Sequence, residues 1–148
     1  MQQPSGSTDP GARFATAVAE LANQRTLRSL PLPALHLVMA MRLCALFERA
    51  DRDPLVELST RLGNVSAAIA ILAVVRSVVR CWPESYVAGR PCCLGMSPDE
   101  QTLAAMACTA QFGDRERFSA TIEGFVRSDR HDQLFDRTVR AIASIQMI

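Results

Sequence analysis

This sequence predicts an all-α fold, a compact bundle of six or seven helices around one central apolar helix at about residues 65–81, on three observations. Apolar residues recur at three- and four-residue spacing in one segment after another, from Phe14, Val18 and Leu21 to Leu134, Val139 and Ile142. The gaps between these segments hold Pro, Gly, Asp and Asn, which punctuate helices. No convincing run of alternating apolar and polar residues marks a strand.

Residues 1–11, MQQPSGSTDPG, carry no apolar period and read as a flexible tail, leaving 12–148 as a single helical domain. A first helix then continues towards Leu30 with Phe14, Val18, Leu21 and Ala22 on one face, and Pro31 and Pro33 mark its end. With Pro33 in the first turn, a second helix places Leu35, Val38, Met39, Leu43, Leu46 and Phe47 on a broad face and reaches about Ala50. Residues 51–54 break it. A short helix with Leu55, Val56, Leu58 and Leu62 stops before Gly63, a residue suited to a left-handed cap. Asn64 or Ser66 caps the next helix, which is apolar on nearly every side from Ala67 to Val79 and so belongs in the middle of the domain. Residues 82–95, WPESYVAGRPCCLG, form a long loop of the kind that often carries function. Ser97, Pro98, Asp99 and Glu100 make a capping box that opens a helix with Leu103, Met106, Ala107 and Ala110 inward. Asp114 caps a further helix with Phe118, Ile122, Phe125 and Val126 inward. The last begins near Asp132 and presents Leu134, Phe135, Val139, Ile142 and Ile145.

The chain has 148 residues, 49% of them hydrophobic and 21% charged, which suits one globular domain. All 16 basic residues are Arg, which excludes mechanisms that need a Schiff-base or phosphate-loop lysine. They stand against 15 acids for a net charge of +1, without the basic excess of a nucleic-acid-binding domain. The apolar run at 65–75 meets Arg76 and Arg80 and falls short of the ~20 residues that span a bilayer, so no membrane partner is expected. The start lacks the basic-then-apolar pattern of an export signal, and the expected location is the cytoplasm. Five cysteines, an odd number, then read as thiols.

Two groups of residues are candidates for a site. Cys92, Cys93, Cys81 and Met96 are soft ligands, and zinc or Cu(I) is the class of ion they would hold. Against that, no Cys-x-x-Cys pair is present and cysteine often packs as a small hydrophobe, so no cofactor is the default expectation. Arg76, Arg80 and Arg90, with Tyr86, border the loop and suit an anion or small acidic ligand; the competing reading has an Arg reaching back to helix-end carbonyls. Many other Arg have an acid one turn earlier (Glu48 with Arg52, Glu57 with Arg61, Glu123 with Arg127, Asp136 with Arg140), and these read as exposed intrahelical pairs. Asp132 and Asp136 sit among Arg130, Arg137 and Arg140 and read as a solvated face. His36 and His131 are isolated, and the phosphate-loop, nucleophile-elbow and zinc-protease motifs are missing.

The segment at 89–100, GRPCCLGMSPDE, resembles an uncharacterised family of short helical proteins from alphaproteobacteria, in which a Pro-Cys-Cys element precedes Met, Ser or Thr and an acid-rich helix start. The resemblance covers the second half of the chain and rests on Pro91, Cys92, Cys93, Met96 and Glu100. It implies a place of interest and no chemistry. With high apolar content, few aromatics and no catalytic set, the leading expectation is a non-enzymatic protein that associates with itself, as a homodimer, or with another protein. The alternative is a metal- or small-ligand-binding module centred on residues 82–96.

Overall fold

The computed structural model describes residues 26–146, so the tail expected at 1–11 and most of the first expected helix lie outside the described residues. That helix does not continue to Leu30: Thr26 is extended, and Leu27–Ser29 is a single 3-10 turn closing on Leu30. The backbone here is committed elsewhere. Thr26 forms an isolated antiparallel bridge with Gly95, and the Leu27 amide donates to the Leu94 carbonyl at 3.0 Å.

Six α-helices follow among the described residues: α1 Leu32–Arg49, α2 Leu55–Leu62, α3 Val65–Cys81, α4 Pro98–Gln111, α5 Arg115–Ile122 and α6 His131–Gln146. Their ends have local causes. Gly63 stops α2 in the left-handed region at φ 68°, where a Cβ would be strained. The Asn64 side chain accepts from the Ala67 amide at 3.0 Å and opens α3. Asp114 does the same for α5 through the Arg117 amide, and Ser97 with Glu100 completes both halves of the capping box on α4. The helix expected to carry Phe125 and Val126 ends earlier, at Ile122. Glu123 is extended, Gly124 takes φ 76°, and the Ile122 carbonyl accepts from the amides of both Phe125 and Val126. This turn brings the Phe125 ring edge-on to Trp82, 4.5 Å between centroids.

The helices form a bundle in which α3 packs most extensively along α6, α2 folds back on α3, and α4 bridges α1, α5 and α6. Ala67, Ile71, Val74 and Val78 of α3 are fully buried, with Leu37 and Val38 of α1, Leu103 and Met106 of α4, and Phe118 of α5. Each larger side chain among them contributes roughly 1.5–3 kcal/mol by leaving water. Yet, among the described residues, α3 is not covered all round. Val65, Ile69 and Val79 are 57%, 55% and 56% exposed, and all three fall on one stripe of the helix. No helix among the described residues is long and apolar enough to cross a membrane.

Of the four intrahelical ion pairs expected, Glu57 with Arg61 forms, at 2.8 Å. Elsewhere tertiary neighbours win. Arg115 takes both Asp132, at 2.6 Å, and Asp136, at 3.1 Å, so Asp136 is not left for Arg140. Arg127 reaches Asp129 instead of Glu123, and Arg52 lies over the Phe47 ring instead of against Glu48.

Candidate functional site

The loop between α3 and α4 is held by a side chain that the sequence reading passed over. Arg42 sits in the middle of α1 with its guanidinium wholly buried, and every one of its five N–H groups has an acceptor. Nε donates to Glu100 Oε2 at 2.6 Å and Nη2 to Oε1 at 3.0 Å, a two-point ion pair. The remaining N–H groups donate to the loop carbonyls of Arg90 at 3.0 Å, Cys93 at 2.6 Å and Gly95 at 2.8 Å. Gly89 passes so close that a Cβ there would stand 2.7 Å from Arg42 Nη2. One signal was available in the sequence: Arg42 has Val38, Met39, Ala45 and Leu46 a turn away on either side, and no acid to pair with locally.

Asp99, one residue earlier on α4 than Glu100, fastens the loop's other half. Its carboxylate accepts from the Trp82 indole at 3.1 Å and from the Val87 amide at 2.8 Å, while Ser97 Oγ donates to the Val87 carbonyl. Burial pushes the Glu100 carboxyl up, but the Arg42 guanidinium and the amides of Ser97 and Gly89 outweigh it and hold the group below the usual carboxylate range. The hydrogen bond to Glu100 raises Arg42 in turn.

On this framework the soft-ligand candidates separate. Cys92 and Cys93 are exposed at a turn closed by the Cys93 amide on the Arg90 carbonyl, whereas Met96 is buried and Cys81 half-buried at the end of α3. Among the described residues no three His, Cys, Asp or Glu side chains gather in a way that could hold a metal ion. Cys44, not singled out beforehand, is buried against α3, and desolvation pushes its thiol up to about 11.

The anion candidates divide as well. Arg76 and Arg80 line a groove of about 540 Å³ between the C-terminal parts of α1 and α3. Tyr86 lines an adjoining one of about 530 Å³, with its Oη buried and without a hydrogen-bond partner among the described residues. Burial, then the Glu100 and Asp99 charges, push the Tyr86 hydroxyl up. Arg90 contributes its carbonyl to Arg42 and leaves its side chain in solvent. Arg80 also faces a different pocket, of about 290 Å³, which it shares with Arg127, Arg130 and Arg137 from the far end of the chain. Its Nε reaches back to the Arg76 carbonyl, within α3, at 3.3 Å.

No family model, no curated protein and no solved structure matches this chain.

Proposed function

We propose that this is a cytoplasmic protein that acts without catalysis, by self-association, pairing α3 with α3 of a second copy. The observation that carries this reading is the uncovered stripe of α3. Val65, Ile69, Leu72, Arg76 and Val79 are spaced four, three, four and three, the spacing of a helix-pairing seam; Val65, Ile69 and Val79 are more than half exposed, while Leu72 between them is buried. Val65 lies seven residues before Leu72 and Val79 seven after, so an antiparallel copy centred on Leu72 sets those two against each other. Charge supports the same occupant. Beside the seam the groove carries Glu48, Asp51 and Asp53 together with Arg52, Arg76 and Arg80, both signs on one surface, which a two-fold partner complements with its own. The exposed thiols Cys92 and Cys93 suit a reducing compartment.

A second reading, a soft-metal site on the 82–96 loop, is favoured by those two thiols standing side by side on backbone that Arg42 holds in place. Native mass spectrometry of freshly reduced protein tests both. The expected spectrum is a dimer at twice the polypeptide mass, converted to monomer by V65D/I69D with helicity unchanged. A monomeric wild type, or a dimer that survives V65D/I69D, overturns self-association through α3. A retained zinc or copper mass that disappears in C92S/C93S would move the assignment to the loop.

A further inference from the structure

We infer that the pocket between the C-terminal end of α3 and the start of α6 binds the phosphate group of a small phosphorylated molecule. Four arginines line it, Arg80, Arg127, Arg130 and Arg137, together with Ser77, Cys81 and Gln133. Of the four, Arg127 has a carboxylate partner, Asp129 at 3.0 Å; the other three have none among the described residues. Asp132 and Asp136, which lie among Arg130 and Arg137 in the sequence, are bound by Arg115 instead. Arg137 is half-buried and donates to Ser77 Oγ, whose own proton goes to the Ala73 carbonyl at 2.8 Å.

Gathering like charges in one pocket costs free energy in the empty protein, and an anion seated among them offsets that cost. Helix-end capping does not account for the group. Arg80 reaches an α3 carbonyl, but Arg127 and Arg130 come from the turn before α6 and Arg137 from α6 itself. The size and donor count select the ligand class. At about 290 Å³ the pocket is at the lower limit of the ~300–1,000 Å³ of small-molecule sites, enough for a phosphate or diphosphate and too small for a dinucleotide. Planar guanidinium forks outnumber the two oxygens of a single carboxylate and match the three terminal oxygens and double charge of a phosphate monoester.

The site shares Arg80 with the groove beside the proposed seam, but Ser77 lies about 140° around α3 from Leu72, and Arg127, Arg130 and Arg137 belong to other elements. Isothermal titration of the full chain with inorganic phosphate, pyrophosphate and succinate, at ionic strength held constant with chloride, tests it. Saturable binding of pyrophosphate is expected, tighter than succinate. R137Q should weaken it about tenfold, or about 1.4 kcal/mol. The exposed pair R127Q/R130Q should weaken it at least as much with helicity unchanged, while R115Q leaves it intact. No saturable heat, succinate binding as tightly as pyrophosphate, or an unchanged Kd in R127Q/R130Q would overturn the assignment.

Discussion

Arg42 shows how one side chain can shape a loop from a distance. A guanidinium buried in an apolar helix face would be ruinous alone, but here each donor meets an acceptor and the charge meets Glu100. Removing it orphans three loop carbonyls and a buried carboxylate together. R42M should therefore destabilise the protein by about 3–5 kcal/mol in urea unfolding. The same pair sets a pH dependence. Glu100 titrates lower folded than unfolded, so its stabilisation is complete above its unfolded value of roughly 4.3 and is lost as pH falls through the lower folded value. The urea midpoint should fall below about pH 4, and the fall should be shallower in E100Q, which has no charge to lose. A decline equally steep in E100Q would show that other carboxylates control it.

At the scale of elements, the helix starts and stops were legible because their causes are local. Asn64, Ser97 and Asp114 each present an oxygen to the amide three residues ahead, and Gly63 accepts a conformation other residues resist. Of the misread ends, the first has a non-local cause, Thr26 and Leu27 being bound to the 94–95 backbone, whereas α5 stops at the left-handed Gly124, whose turn brings Phe125 onto Trp82. Ser97 belongs to both kinds, since it caps α4 and also holds the Val87 carbonyl. S97A should cost about 1 kcal/mol for the cap. It should also speed amide exchange through 82–97 more than through α6; uniform acceleration would mean the cap stabilises the whole bundle rather than the loop.

For the whole molecule, the uncovered α3 stripe connects stability to concentration. If two copies share that face, folding and association are linked, and the thermal midpoint should rise with protein concentration in the wild type and stay level in V65D/I69D. The helix is central by composition, and α6 and α2 do cover most of it. A helix that is apolar all round needs neighbours all round, and the described residues leave one stripe of it without them.

What the sequence by itself determined is the helical class, the order and caps of most elements and the apolar centre at 65–81, because periodicity and capping act within a turn or two of chain. It also marked the 82–95 loop and Arg80 as places to look. Only the tertiary structure decided which charges meet. Arg42 finds Glu100 across 58 residues, and Arg115 takes Asp132 together with Asp136, which spacing assigned to Arg140. Arg80 joins Arg127, Arg130 and Arg137 in one pocket for the same reason. Long side chains choose partners by distance in space, and packing brings together groups that no spacing along one helix relates.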